Sequence, residues 1–368
     1  MRQIHCFLLL CFLILLHGTV QIAHGEEVEK KLILEMGKIT EMGNDNPIIQ
    51  RFASACEDND GFCYVLDSRA ARVYKFSPDG KMLLSFGQRG EGPGEFKYPY
   101  GVFVSSNGKI IVTEIQNIVS FFEKDGKFIN RYDFQSKLGY LSNLKYVGDD
   151  VFYAHKSPLE ERKEWQIIFN SDGKEIDQSL FSASFSTVTI PLSEDREGVR
   201  AYGIPFIELK PYLIFNHYNG SSAAAYSRKY EIIILNSHGK MVSKITRDVP
   251  PKELNSHEKE YCEEILKKKQ WPPEAKKKIK KIIPETKNSL YYVLISGTHV
   301  FAFQPPEDLS STRKIYPTDI FTLEGKFYGS IEMGDVPSLI SNQFMYILEE
   351  NAEGDYALVK YRYKLFAR

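Results

Sequence analysis

Five side chains that could bind a metal ion or a polar ligand recur at one position of a unit that repeats along the chain. This position directly follows the second strand predicted in each unit, and it holds Asp67, Glu114, His155, His217 and Glu349. Imidazoles and carboxylates are ligands for Zn²⁺ or Ca²⁺, and they also orient polar organic ligands. In one unit the corresponding residue, near Phe303 and Gln304, is ambiguous. A purely structural interpretation also fits, in which a polar residue ends each buried strand.

Cys56 and Cys63 are candidates for a disulfide. They flank the predicted turn Asp58–Gly61, and a four-residue turn would place them directly opposite each other in a hairpin. Cross-strand neighbours about 4.5 to 5.5 Å apart at Cα are within disulfide reach. The corresponding residues of the next unit, Phe103 and Ile110, show the alternative, in which both positions hold small apolar residues of the core.

The common catalytic motifs are absent from the sequence. It contains no Gly-x-Ser-x-Gly, no His-Glu-x-x-His and no Cys-x-x-Cys. The glycine-rich segment 87–94 does not follow a strand and open a helix, so it does not fit a phosphate-binding loop. Its glycines instead predict a crossing of the chain between two units.

The elements that carry the candidate residues are predicted from a repeat of tight turns. Turns of the Asp-Gly-Lys type begin at Asp79, Asp125, Asp172, His238 and Glu324, in steps of 46, 47, 66 and 86 residues. Asp-Gly supplies the positive φ that tight hairpins need. A period in the 40s with four short strands per unit is typical of a propeller blade. We count six blades and predict an all-β, six-bladed β-propeller.

The N-terminal strand is predicted to close the ring. Residues 31–37 (KLILEMG) match the last strand of blade one at 81–87 (KMLLSFG), but no other three strands precede them. A single outer strand of this kind would pair with the C-terminal strands and remove the two open edges of a linear array.

The two long steps of the repeat contain insertions. A polar segment at 182–202 leads into blade four, and a helical insert at about 250–285 leads into blade five. In the insert, Asn255 and Glu258 predict a capping box, and 271–273 (Trp-Pro-Pro) separates two helices. The eight lysines within 267–281 could attract an anionic ligand such as an acidic glycan or a peptide carboxylate, or could simply form a solvated helix face.

Residues 1–25 predict a signal peptide. Arg2 and His5 precede an apolar run at 7–16 that is too short to span a membrane, and 23–25 (Ala-His-Gly) offers small residues for cleavage. The propeller would then occupy 26–368 of an exported protein, periplasmic or extracellular, with no transmembrane segment. The charge balance of 47 basic and 48 acidic residues, together with export, disfavours nucleic-acid binding.

Blades one and two carry a family resemblance. Segments 90–96 (GEGPGEF), 99–101 (PYG), 108–114 (GKIIVTE) and 125–127 (DGK) resemble an NHL repeat, and the order of elements is similar to that of secreted bacterial six-bladed β-propellers. The resemblance implies that the five polar residues open loops around the mouth of a central channel. The wider group includes the peptidyl-amidating lyase, strictosidine-synthase-like proteins and metal-dependent lactonases alongside binding modules, so it does not assign an activity.

The sequence therefore predicts an exported, monomeric propeller scaffold that binds an unidentified glycan, protein or other ligand. The binding face would be the crossing face, which we define as the loops after the second strands together with the crossings between blades. An apolar stripe of the insert would cover this face, and it consists of Tyr261, Ile265, Ile279 and Ile283. The alternative is a metal-assisted lyase or hydrolase at the channel mouth, with a divalent cation held by three protein ligands.

Overall fold

The computed structural model describes residues 31–42, 49–139, 141–156, 163–184, 187–193, 196–203, 208–210, 212–350 and 356–367. These residues form six four-stranded antiparallel sheets and one two-stranded hairpin, so the six-bladed β-propeller is confirmed. The predicted signal peptide at 1–25 lies outside the described residues. No helix within the described ranges is long and apolar enough to cross a membrane.

The first three blades follow the chain in order. Blade one contains β2 (Phe52–Glu57), β3 (Cys63–Asp67), β4 (Arg72–Phe76) and β5 (Met82–Phe86); blade two contains β6 (Pro99–Val104), β7 (Ile110–Glu114), β8 (Ile118–Phe122) and β9 (Phe128–Asp133). After the short helix α1 (Gln135–Leu138), blade three contains β10 (Leu141–Gly148), β11 (Val151–Lys156), β12 (Lys163–Asn170) and β13 (Glu175–Ser184).

The remaining blades are separated by the two insertions. The hairpin β14 (Thr187–Ser193) and β15 (Arg196–Gly203) precedes blade four, which contains β16 (Leu213–Tyr218), β17 (Ser221–Tyr226), β18 (Glu231–Leu235) and β19 (Met241–Thr246). Helices α2 (Ser256–Lys268) and α3 (Pro273–Lys280) precede blade five, which contains β20 (Tyr292–Ile295), β21 (His299–Phe303), β22 (Tyr316–Thr322) and β23 (Phe327–Met333). The predicted capping box at Asn255 and Glu258 is confirmed.

Blade six joins the two ends of the chain. Its strand order is β1 (Leu32–Met42), β26 (Tyr356–Ala367), β25 (Phe344–Glu350) and β24 (Leu339–Ile340). β1 pairs with β26 over most of its length, for example Leu34 with Leu365 and Met36 with Tyr363. Ring closure by the N-terminal strand is therefore confirmed.

The core lies between neighbouring blades rather than on one face of each sheet. Every residue of β3 is buried, because its alternate side chains enter two different clusters. Tyr64 and Leu66 pack with blade two, whereas Cys63 and Val65 pack with blade six. Burial on both faces explains why the second strands read as continuous apolar runs.

The Asp-Gly turns allow each blade to press against the preceding one. Gly80 has a φ of 89°, and a Cβ at this position would meet the side chain of Thr40 at 2.5 Å. Gly126 has a φ of 85°, and a Cβ there would meet the Cβ of Phe86 at 2.8 Å. Both contacts are made with the outer strand of the neighbouring blade, so the period of the turns reflects the packing of the ring.

The predicted strand assignment of blade four is wrong by one strand. Placing His217 directly after a second strand implied that the first hairpin of this blade precedes residue 213, but the chain turns at Asn219 and Gly220, which have φ values of 46° and 79°. Asn-Gly with positive φ at both residues is the usual two-residue hairpin turn. Residues 213–218 are therefore the first strand of this blade and not the second.

We predict that removing β1 opens the ring. A variant that lacks residues 1–42 would leave β26 without its outer neighbour, so we expect its free energy of unfolding to fall by several kcal/mol. The measurement is urea denaturation followed by circular dichroism. A variant lacking only residues 1–30 is the control, and equal stability of the two variants would contradict closure by β1.

Candidate functional site

Asp67 and Glu114 bind main-chain amides of their own blades. Asp67 is fully buried at the end of β3, where its carboxylate accepts hydrogen bonds from the N–H groups of Gln50 at 2.7 Å and Arg51 at 3.3 Å. Glu114 ends β7 in the same way and accepts from the N–H groups of Lys97 at 2.5 Å and Tyr98 at 3.2 Å. Both carboxylates thus hold the crossing that enters their own blade.

These bonds use much of the accepting capacity of the two carboxylates. Asp67 Oδ1 also accepts from the N–H groups of Arg69 and Ala70. Burial raises the pKa of Glu114, and its two amide bonds together with the charge of Arg131 act against that rise. The structural interpretation therefore accounts for both residues.

His155 lies behind the channel wall. Its Nε2 atom lies 2.6 Å from the hydroxyl of Tyr153 and 3.2 Å from Nδ2 of Asn143. Asn143 lines the central cavity and has a φ of 54°, which is uncommon for a residue other than glycine. His155 therefore helps to hold Asn143 in an unusual backbone conformation at the channel.

His217 does not occupy the predicted position. It lies on β16, the first strand of blade four, where it pairs with Ser222, and the second strand ends at Tyr226. The error follows from the misplaced hairpin of this blade. Glu349 lies on β25 as expected, and its carboxylate accepts a hydrogen bond from the hydroxyl of Tyr361.

The described part of the chain contains no group of side chains that fits the predicted metal site. Within these ranges, no three His, Cys, Asp or Glu side chains are grouped so that they could hold one metal ion. A catalytic zinc needs three such ligands and an open position. We therefore derive no reaction step through a metal.

Cys56 and Cys63 are free thiols, so the disulfide prediction is wrong. The hairpin pairs Cys56 with Tyr64 and Glu57 with Cys63, because the turn is one residue away from the expected register. Gly61 has a φ of 82°, and its N–H donates to the carbonyl of Asp58 inside this turn. A one-residue shift sends the two thiols to opposite faces of the sheet, one into each neighbouring core.

A central cavity of about 500 Å³ runs between the first strands of all six blades. Its wall includes backbone and side chains from β2, β6, β10, β16 and β20 and from the segment before β24. The first strand of each blade has a neighbour on one side only, so its other edge faces this channel. This cavity is a concave polar site that lies away from the ends of the second strands.

Lys145 places an ammonium group in the channel wall. It lies on β10, and its Nζ donates to the carbonyl oxygen of Phe215 on the neighbouring blade at 2.9 Å. Burial lowers its pKa from 10.5 to about 8. Among the described residues, no carboxylate lies within ion-pair distance of this amine.

His217 faces the same cleft between blades three and four. Its Nδ1 lies 3.0 Å from the hydroxyl of Ser222, while its buried Nε2 has no hydrogen-bond partner among the described residues. Burial and the charge of Lys145 lower the pKa of the ring from 6.5 to about 4, so the imidazole is neutral at pH 7. When the Ser222 hydroxyl donates to Nδ1, the ring proton resides on Nε2, where it is available to a ligand.

Tyr218 crosses the channel near the hairpin end of blade four. It packs against the cluster that contains Cys63, Tyr346 and Leu358 of blades one and six, and it hydrogen-bonds with Ser341. Because blades four and six are not neighbours, this side chain must traverse the lumen. It therefore forms a floor for the cavity.

Glu57 is a second buried charge at this floor. Its carboxylate accepts a hydrogen bond from the Tyr346 hydroxyl, and burial raises its pKa against the effects of that bond and of Lys360. The acidic and basic groups of the channel are thus held by different blades.

The helical insert is anchored beside blade five and does not cover the channel with its apolar stripe. Tyr261, Ile265 and Ile283 pack with Cys262 and with loop residues Leu209 and Leu309. Glu258 and Lys287, both buried, form an ion pair at 2.6 Å, and Glu258 also accepts from the N–H of Leu309 at 2.9 Å. The prediction that this stripe covers the channel mouth is therefore wrong, because its side chains pack within the insert and against the loops that anchor it.

Lys145, Asn143 and Tyr218 have no sequence motif that identifies them. Lys145 and Tyr218 act through contacts with other blades, and Asn143 acts through His155 on the adjacent strand. The available signal for Lys145 was that a lysine interrupts an apolar stretch of β10.

Comparison with known proteins supports the architecture. Residues 44–255 match a protein family described as a 6-bladed β-propeller. A DUF4221 family member from Bacteroides vulgatus shares 13% identity with a TM-score of 0.57, over 93% of this chain and 100% of its own. A protein from Bacteroides fragilis, provisionally named as exported, shares 13% identity with a TM-score of 0.53, over 90% of this chain and 96% of its own. At this identity both show the fold alone.

One curated protein matches part of the chain. Protein lin-41 of Caenorhabditis elegans is 38% identical over 67 residues, which are 18% of this chain and 6% of that protein. The match thus spans a small fraction of the relative.

We predict that Glu114→Ala destabilises the fold by about 1 to 3 kcal/mol, because it leaves two buried amides without an acceptor. Glu114→Gln should recover part of the loss, since its side-chain carbonyl can still accept. Chemical denaturation measures both variants. Glu123→Ala, at an exposed position next to β8, is the control, and an equal effect of the two alanine variants would contradict the role of Glu114.

His217 should make the protein sensitive to mild acid. Between pH 6.5 and about 4 the unfolded chain binds a proton that the folded ring does not, so the free energy of unfolding falls as the pH drops through this window. The expected loss is at most roughly 3 kcal/mol. His217→Gln should flatten the decline measured by urea denaturation at pH 7 and pH 4.5, whereas exposed His238→Gln should not. An unchanged decline in His217→Gln would show that its ring is not held neutral.

Proposed function

Because the chain belongs to the 6-bladed β-propeller family DUF5128, we propose that it is an exported scaffold that binds a small polar ligand in its central channel. The ligand would contact the cleft between blades three and four, where Lys145 and His217 meet. This proposal keeps the binding function expected from the sequence but moves the site inward from the crossing face.

The observation that carries the proposal is the buried Nε2 atom of His217. It has no hydrogen-bond partner among the described residues, and His217 is one of the residues that line a cavity of about 500 Å³. Leaving a buried polar atom unpaired costs about 1 to 3 kcal/mol, and a ligand that pairs with it recovers that cost. Cavities of this size suit small molecules, and their polar groups fix the orientation of the ligand.

The same cleft offers further donors. Asn216 accepts a hydrogen bond from the N–H of Ile295 at 2.9 Å through Oδ1, so its amide NH₂ is the part left to a ligand. Lys145 adds an ammonium group with three N–H donors, and the carbonyl of Phe215 accepts only one of them. By contrast, Asp67 and Glu114 already bind main-chain amides, which makes them weaker candidates.

Export is supported by the pattern of residues 1–25, with basic residues before a short apolar run and a small-residue cleavage site. The provisional name of the Bacteroides fragilis protein agrees with this location. The ligand would accordingly be encountered outside the cytoplasm.

The test is a binding screen of neutral and acidic oligosaccharides and short peptides against the purified protein. Thermal shift detects the hits, and calorimetry measures their affinities. We expect hits to lose at least tenfold in affinity in the double variant Lys145→Met with His217→Gln. The ammonium is removed, and a hydrogen bond to a charged group is worth about 1.5 to 3 kcal/mol, while the rigid ring donor is replaced by a flexible amide.

The matched control is Lys240→Met with His238→Gln, which makes the same chemical changes on an exposed turn of blade four. This control should bind as the parent does. Hits that bind the channel variant with undiminished affinity would place the site elsewhere, for example on the crossing face, and would contradict the proposal.

A further inference from the structure

The charge of Lys145 is unbalanced inside the channel. Its Nζ has one acceptor, the carbonyl of Phe215, and no described carboxylate lies within 4.0 Å of it. An ammonium group removed from water is costly unless it is paired. Among the described residues, the channel therefore holds a cation that no carboxylate pairs with.

The surroundings of Lys145 favour a negatively charged guest. Lys145 and His217 both line this channel, and the charge of Lys145 contributes to lowering the pKa of the His217 ring. The other titratable side chains lining the channel are Cys56, Glu57, Tyr100, Tyr218, Tyr291 and Tyr292. Glu57 accepts a hydrogen bond from Tyr346 of blade six and forms no ion pair with Lys145, whose pKa is shifted by burial alone.

We propose that the channel ligand is a small organic acid whose carboxylate binds Nζ of Lys145 and Nε2 of His217. This inference rests on the proposed function, since it specifies the chemistry of the ligand in the same site. A carboxylate has two acceptor oxygens, so it can receive one hydrogen bond from each nitrogen while it pairs with the ammonium charge.

The chemistry of the wall favours a monoanion over a phosphate. The residues that line the channel include one lysine and no arginine, whereas phosphate sites usually combine several cations or a helix N-terminus. Glu57 at the floor adds a negative charge that would repel a dianion. One ammonium and one neutral imidazole are matched to a single negative charge.

The rest of the ligand would contact aromatic side chains. Phe52, Tyr100, Tyr291 and Tyr292 all line the cavity. Aromatic rings with hydroxyl groups suit both a sugar ring and a peptide unit. The carboxylate could thus belong to a sugar acid or to the C-terminus of a peptide, and the experiment must separate these two sources.

The experiment follows the side-chain Cε signal of Lys145 by NMR in protein labelled with ¹³C-lysine. The signal is assigned by its absence in Lys145→Arg, which keeps the charge. Sodium acetate is the probe, and acetamide at the same ionic strength is its neutral control. We expect acetate to raise the pKa of Lys145 by about one unit, because an anion favours the protonated amine, and acetamide to leave it unchanged.

Two larger pairs identify the source of the carboxylate. Galacturonic acid is compared with its amide, and an N-acetyl amino acid with its amide, by calorimetry on the parent and on His217→Gln. The acid of one pair should bind at least tenfold more tightly than its amide, with the preference reduced in His217→Gln.

The outcomes separate the two proposals. If acetate and acetamide affect Lys145 alike, the carboxylate inference is wrong, while neutral hits that depend on the channel residues would still support the proposed function. If acetate raises the pKa of Lys145 but every hit of the screen binds the double channel variant unchanged, the anion site stands and the proposed function fails.

Discussion

The hydrogen bonds between β1 and β26 are the interaction on which the ring depends. A linear row of blades ends in two unpaired edges, and these would recruit strands of other chains. Pairing Leu34 with Leu365 makes one blade out of the two ends of the chain. Because these contacts lie so far apart in sequence, blade six can form only late in folding, after much loop entropy has been lost.

Closure creates the channel and sets its chemistry. Each first strand has an unpaired edge toward the lumen, and side chains of a neighbouring blade satisfy part of that edge. The hydroxyl of Tyr100 donates to the carbonyl of Leu144 at 2.7 Å, and Asn216 accepts from the N–H of Ile295 at 2.9 Å. Lys145 does the same for Phe215. Polar residues of the channel thus connect adjacent blades by hydrogen bonds, independently of any ligand.

The fold was predictable because its signals are local and periodic. The Asp-Gly-Lys turns indicated the blade count, since glycine is favoured where each turn packs against the preceding blade. The errors arose where a local signal had two interpretations. Asn219 and Gly220 form the first hairpin turn of blade four, and the prediction that placed His217 after a second strand did not include this turn. The turn after Cys56 differed from the expected one by one residue, which was enough to separate the two thiols.

The candidate site was less predictable because it depends on contacts between blades. Asp67 and Glu114 were identified as recurrent polar positions, but only the structure shows that they hold the crossings at Gln50 and Lys97. Lys145 and His217 belong to different blades and have no common motif. Spacing along one chain does not reveal a cleft whose two walls are about seventy residues apart.

Two buried lysines, Lys287 and Lys360, make contacts that serve the fold alone. Lys287 has the carboxylate of Glu258 at 2.6 Å and the carbonyl of Pro306 at 3.1 Å. Lys360 lies over the ring of Phe344 at 4.1 Å and donates to the carbonyl of Pro78. Lys145 differs from both, since the edge carbonyl that it satisfies could be met by a neutral donor, as Tyr100 does for Leu144. An ammonium at that place adds a desolvation cost that packing does not require, and a charge retained at such a cost is best explained by a ligand that compensates it.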